Sequence, residues 1–324
     1  MTISKIGLIC RGMAMGVAEV IPGVSGGTIA FITGIYKTLI DTIKAVNKDL
    51  LTSIFRFRLK EVWTQLNGPF LFWLMCGMVL GILVGVFGVS HLLETYPEIL
   101  WSLFFGLILA SVPFMLSKIE QRQPINYIFL IIGAVIAFGI TLIPPAMGST
   151  SLLYVFVGGT IAISALVLPG ISGSFILLLM GLYTTIIPTI KAFLKSPELD
   201  EFILLVVFGL GCLLGLMVFS RIVSAAFEKY HDFTLALLSG FMLGSLKKIW
   251  PWRNPTTILD KDTGRILDIE PNRIANIGEE VKILSEKAVL PSNYFTDPKT
   301  LLCLAAIIVG IALVGLLSRV NTAS

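Results

Sequence analysis

Long apolar runs joined by short polar stretches set the pattern of this chain. Residues 70–93, 99–116, 127–143, 202–219, 233–246 and 301–317 are almost free of charge. A bilayer core of about 30 Å takes about 20 apolar residues per helix, so these runs predict membrane spans, some of them short. Residues 3–20 with 24–45, and 152–167 with 171–193, follow a different pattern. Each pair is interrupted by Pro-Gly-x-Ser-Gly, where proline cannot donate a backbone hydrogen bond and glycine permits unusual dihedrals. Irregular backbone persists at membrane depth only when it is buried in protein or lines a watery cavity. The pattern predicts an all-α polytopic membrane protein in which each broken pair is a re-entrant hairpin or two short spans.

The interruption occurs twice. Residues 21–45 read IPGVSGGTIAFITGIYKTLIDTIKA and residues 168–192 read LPGISGSFILLLMGLYTTIIPTIKA, at a constant shift of 147 (169 − 22). Pro22/Pro169, Gly23/Gly170, Ser25/Ser172, Gly26/Gly173, Gly34/Gly181 and Tyr36/Tyr183 all pair. At a shift of 134 (211 − 77), Gly77/Gly211, Gly81/Gly215, Ser90/Ser224, Glu94/Glu228, Tyr96/Tyr230, Gly106/Gly240 and Ser111/Ser245 pair as well. The run at 127–143 then matches that at 301–317. The expected halves are therefore 1–147 and 148–324, with a polar insert at 247–298 that reads as an extramembrane loop.

Composition agrees with the membrane reading. The 324 residues are 56% hydrophobic and 14% charged, against roughly 25% charged in an ordinary soluble domain. A net charge of +4 without a basic tract argues against nucleic acid as a partner. Cys10, Cys76, Cys212 and Cys303 stand singly in apolar surroundings and read as small core residues. His91 and His231 are too scattered for a metal centre, and no cofactor is implied. Arg11 and Glu19 interrupt the first apolar run, so the N-terminal stretch reads as mature protein and not as a cleaved signal. Lys44, Lys48, Arg56, Arg58 and Lys60 place the first loop in the cytoplasm, and Lys118 with Arg122 do the same for a later one. Both termini are expected in the cytoplasm and the insert outside. Three spans follow each broken pair, so each half crosses an odd number of times and the two halves are inverted.

Inverted repeats with broken helices build secondary transporters that bind substrate at the repeat interface. After Pro22–Gly23, the backbone around Ser25, Gly26, Gly27 and Thr28 would begin a helix with free N–H donors, a cradle for phosphate or carboxylate. Pro169–Gly170 with Ser172, Gly173 and Ser174 would supply a second donor set from the other side. The competing reading is close packing by small residues, which requires neither proline nor a break. Charges inside a membrane are costly and functional by default. Glu19, whose repeat partner is Leu166, is a candidate for proton or sodium coupling, or else a buried partner of Arg11 or Lys37. Arg221 could reach a phosphate or snorkel to the surface, and snorkelling is the default for Arg11 and Lys37.

MGVAEVIPGVSGGTIAFITGIY, followed by LPGISGSFILLLMGLY, resembles the PopT-type undecaprenyl-phosphate translocases over essentially the whole chain. The resemblance implies return of undecaprenyl phosphate from the outer to the inner leaflet of the bacterial cytoplasmic membrane. It points to Glu19, residues 22–28 and residues 169–174 as the positions carried over. The chain is also similar to undecaprenyl-diphosphate phosphatases, which have paired broken motifs. Such an enzyme needs a nucleophile or activated water and a cation for the transferring phosphoryl group. The two turns contain no Arg, His or second acid. An ion-coupled transporter of small anions is a further alternative, and oligomeric state is not readable.

Overall fold

The computed structural model describes residues 3–21, 24–143, 146, 148–260, 266–268 and 281–323. The first half runs through α1 (Lys5–Val20), α2 (Gly26–Ile32), α3 (Tyr36–Lys44), the short α4 (Lys48–Phe55) and α5 (Leu59–Gln65), and α6 (Gly68–Val84). A π-helical turn at Gly85–Val89 leads into α7 (Ser90–Thr95), then α8 (Pro97–Leu116) and α9 (Pro124–Leu142). The second half comprises α10 (Leu152–Val167), α11 (Gly173–Leu179), α12 (Tyr183–Lys195), α13 (Leu199–Lys229), α14 (His231–Ser245) and α15 (Thr300–Ala323).

Among the described residues, Gly68–Leu93, Pro97–Leu116, Pro124–Leu142 and Leu199–Lys229 are long and apolar enough to cross a bilayer. The bent pair α11–α12 is a fifth candidate. Side chains such as Ile131, Val135, Leu153, Leu301 and Ile308 stand exposed on the outside of the bundle, a surface that suits lipid and not water. The chain is an all-α polytopic membrane protein.

Each broken segment has one more break than the apolar pattern predicts. Residues 24–45 and 171–193 are not single arms, because α2 stops at Ile32 and α11 at Leu179. Gly34 (φ +75°) and Gly181 (φ +66°) take the left-handed conformation that favours glycine. Gly34 N donates to Phe31 O and Ile35 N to Ala30 O, each at 3.0 Å; Gly181 N and Leu182 N repeat the two bonds on Leu178 and Leu177. This is a Schellman cap, present in both copies. It turns α12 by 110° from α11. A seven-residue helix spans about 10 Å, a third of a bilayer core, and α2 and α11 fold back against α1 and α10 respectively.

Packing repeats the sequence offsets. α1 lies along α6 and α10 along α13, while α8 pairs with α15 and α9 with α14 across the two halves. A Cβ on Gly77 would meet the carbonyl of Ile9, and one on Gly211 that of Phe156, the residue 147 positions on (156 − 9). Likewise Gly106 backs onto Ile307 and Gly240 onto Leu130. Gly310 and Gly133 complete the set against Leu103 and Leu237, which aligns α15 with α9 at an offset of 177 (310 − 133). Glycine at these seams lets backbones approach closely where lipid gives no hydrophobic drive to association.

Two expectations are corrected. The insert at 247–298 is not merely a loop: it holds a three-stranded antiparallel sheet, order β2-β1-β3, with β1 at Arg253–Asp260, β2 at Ile266–Asp268 and β3 at Val281–Ala288. Pro255 lies in β1 next to a register irregularity, as a residue without an N–H requires. Trp252 Nε1 donates to Pro298 O (2.8 Å), Arg253 stacks over Trp101 (4.3 Å) and Lys299 pairs with the buried Glu98 (2.6 Å), which seats the sheet on the bundle end. The hydrogen bond to Glu98 holds the Lys299 ammonium above its ordinary range. The cysteines do not all lie in the core: Cys303 is buried, Cys76 and Cys212 are half-buried, and Cys10 is exposed.

Candidate functional site

The two turns meet. Pro22 and Gly23 lie outside the described residues, but both flanks of the first turn are defined. Ser25 caps α2, its Oγ accepting from Gly27 N at 3.1 Å. The same hydroxyl reaches across to the carbonyls of Leu168 (3.2 Å) and Leu166 (3.4 Å). Tyr36 OH donates to Val167 O at 3.1 Å, and Gly170 N donates to Thr28 Oγ1 at 2.9 Å. A helix end leaves carbonyls without partners, and here the first turn satisfies those at the end of α10. Ser25 and Thr28 are almost wholly buried.

Three of the donors expected at the first turn, Gly26 N, Gly27 N and Thr28 N, are already engaged. Glu19 Oε1 accepts from Gly26 N at 2.8 Å, so the chain's own carboxylate sits where an anion was expected. Gly26 is required for that approach, since a Cβ there would come within 2.5 Å of Glu19 Oε1. Glu19 is therefore held by the backbone and not by the cations proposed for it. Arg11 Nε donates to Thr33 O (3.0 Å), and Lys37 pairs with Asp41 (3.4 Å).

At the second turn the partners differ. Leu166 stands at the position of Glu19, and no side chain caps α11. Ser172 and Ser174 bond to each other through their hydroxyls at 2.8 Å. Pro169 and Gly170 form the turn itself, and Gly170 (φ +87°) lies against the backbone of Phe241 and Met242 in α14. Gly173 packs on Ala162 and Leu166. Arg221 is not brought to either turn: its Nη1 and Nη2 donate to Met217 O (2.7 Å) and Val46 O (3.1 Å), tying α13 to the end of α3.

A polar cavity of about 550 Å³ lies beside the first hairpin, lined by Arg11, Lys37, Lys118 and His231 among aromatic side chains. Phe31, Tyr36 and Phe227 pack against one another along its wall at centroid distances of 5.3–6.5 Å. Lys118 Nζ stands 5.2 Å above the Phe114 ring. Its inner wall is Tyr36, the residue whose hydroxyl touches the end of α10. Arg11 and Lys37 were identifiable as intramembrane cations, whereas Lys118 read as a loop charge and His231 as isolated. Only the fold joins these four, from α1, α3, the end of α8 and the start of α14. Among the described residues, no group of three or more His, Cys, Asp or Glu is placed to hold a metal.

A polytopic helical bundle with two broken hairpins in contact, beside a basic and aromatic cavity, defines a membrane protein of the transporter class. The chain belongs to the VCA0040-like family, described as undecaprenyl phosphate translocase-like, whose model matches residues 15–267. It is similar to the polyprenyl-phosphate transporter of Vibrio cholerae, at 40% identity over 317 residues that cover 97% of this chain and 96% of the relative. It is also similar to the polyprenyl-phosphate transporter of Staphylococcus aureus, at 34% identity over 78% of this chain and 88% of that one. No solved structure matches.

Proposed function

We propose that this chain is a transporter, not an enzyme, that carries polyprenyl phosphate across the bilayer. Undecaprenyl phosphate is the lipid, and the direction is from the outer to the inner leaflet of the bacterial cytoplasmic membrane. The observation that carries the reading is the cavity, in which four nitrogen-bearing side chains stand among aromatic walls. Such a lining suits a phosphate monoester on an apolar tail: charged donors bind phosphate oxygens strongly, and aromatic faces take the first isoprene units. The family match and both relatives point to the same substrate class.

In this proposal the two halves are inverted repeats, and the end bearing Lys44, Lys118 and Glu228 faces the cytoplasm, a reading the basic loops support. The head group passes the contact between the turns while the tail remains in lipid. The paired hairpins expose it first to one leaflet and then to the other. Glu19 is the coupling residue. Taking up a proton weakens its hold on Gly26 N and releases that donor for the phosphate.

Leaflet exchange of labelled undecaprenyl phosphate in proteoliposomes tests this reading. Wild type should exchange the lipid, and Arg11→Ala with Lys118→Ala should slow exchange at least about tenfold, since each lost charged hydrogen bond is worth about 1.5–3 kcal/mol. Absence of wild-type exchange, with or without proton and sodium gradients, would sink the proposal. Flux of soluble phosphate in its place would favour a small-anion transporter.

A further inference from the structure

α14 connects two different environments. His231 and Leu235, at its start, line the 550 Å³ cavity. Ser245, its last residue, lines a second recess together with Gly170, Ser172, Phe175 and Lys248. Fifteen helical residues separate the two by about 20 Å. One end of the bundle is open, and the recess at the other is closed down to about 10 Å³, scarcely one water.

The chemistry of the closed recess is that of an unsatisfied cation beside hydroxyls. Lys248 is half-buried, with its Nζ 4.6 Å above the ring of Phe175. Among the described residues, Lys248 Nζ has neither a hydrogen-bond acceptor nor an ion-pair partner. The nearby carboxylate of Glu286 is bound to Arg253 at 3.0 Å instead. Arg253 Nη1 donates to the carbonyl of Lys248 at 2.9 Å, bringing a second cation alongside. Arg253 Nε is itself buried with no acceptor among the described residues. Burial first, and the Arg253 charge second, hold the Lys248 ammonium below its ordinary range, while Glu286 acts in the opposite sense. The half-buried Lys248 ammonium, which shares the recess with Ser172 of the Ser172–Ser174 hydroxyl pair, is complementary to an anion that the closed recess has no room to hold.

We propose that Lys248 and the Ser172–Ser174 pair form a second phosphate-monoester site, at the opposite end of the turns from the basic cavity. This site receives the head group of a polyprenyl phosphate entering from the leaflet next to the insert. The inference rests on the transport reading and adds an entry site to it. In the state described here the site is shut while the basic cavity is open. When the recess opens, Lys248 exchanges its contact with Phe175 for the phosphate oxygens.

The test uses full-length protein in proteoliposomes sorted by which end faces outward, with labelled C55 polyprenyl phosphate added to the outer leaflet alone. Lys248→Ala should raise the half-saturating lipid concentration at least about tenfold when the insert end faces out, and leave it unchanged when the Lys118 end faces out. Lys248→Arg should restore most of the loss, and Ser172→Ala with Ser174→Ala should give a smaller, equally one-sided increase. Wild-type values for Lys248→Ala at both ends, or an equal loss at both, overturn the site. If Lys248→Ala does not fold, the serine double variant decides the matter by the same one-sided criterion. Failure of the wild type to exchange lipid from either end defeats the transport reading itself, an outcome separate from failure of the site.

Discussion

The two turns carry the same Pro-Gly-x-Ser-Gly sequence and use it in different ways. In the first, Glu19 takes Gly26 N, Ser25 takes Gly27 N and reaches Leu166 and Leu168, and Thr28 receives Gly170 N. The second has a leucine in place of the acid, two serines whose hydroxyls bond to each other, and an exposed Tyr183 where the first copy has the buried Tyr36. Duplication kept the backbone device and let the side-chain partners diverge. The first turn bonds to its own chain and to the end of α10, whereas at the second the two serines bond to each other.

The largest effect expected from this difference is at Gly170. Gly170→Val meets both a left-handed φ and the backbone of Met242 only 2.7 Å from the new Cβ. It should cost about 2–5 kcal/mol, read as a fall in the detergent-solubilised melting temperature. Gly26→Ala meets only the flexible end of Glu19 and should cost less; an equal loss would mean that the turns are mechanically alike. Next comes Glu19→Leu, which gives the first turn the residue of the second. Leaving Gly26 N without its acceptor should cost about 1–3 kcal/mol. Glu19→Gln, which keeps an acceptor oxygen, should fold normally while exchange loses its response to an imposed proton or sodium gradient. A gradient response retained in Glu19→Gln would place coupling elsewhere. The smallest stability effects separate the serines. Ser25→Ala should cost about 1–2 kcal/mol, whereas Ser172→Ala should stay within about 0.5 kcal/mol and act on lipid exchange instead. The reverse order would exchange the roles assigned to the two turns.

Four of the predicted spans and the duplicated turn were legible because each is local: an uninterrupted apolar run, or Pro, Gly and Ser at fixed spacing. Gly34 and Gly181 were visible as a repeated pair, but their role as helix-ending caps depends on Ile35 and Leu182 bonding back five residues, and a continuous apolar run hides that. Glu19 stood out in the sequence as an acid within an apolar run. Its partner was missed because the chain doubles back within seven residues and brings a backbone N–H nearer than any cation. Lys118 and His231 lie more than 80 residues from Arg11 and Lys37 along the chain, so no spacing links them before the helices pack. The sheet was obscured by the polar, proline-containing character of 253–260.

The crossed pairing of α8 with α15 and of α9 with α14 has a mechanical consequence. A rigid rotation of residues 1–147 against 148–324 would pull apart two of the most closely packed helix pairs in the molecule. On this packing we expect motion between other bodies than the covalent halves. Those four helices pack as one group built equally from both halves. The parts free to shift against it are the two bundles that carry the turns, α1–α3 with α6 and α10–α12 with α13. A crosslink within that group, between α8 and α15, should leave transport intact, whereas one from α8 to α2 should arrest it.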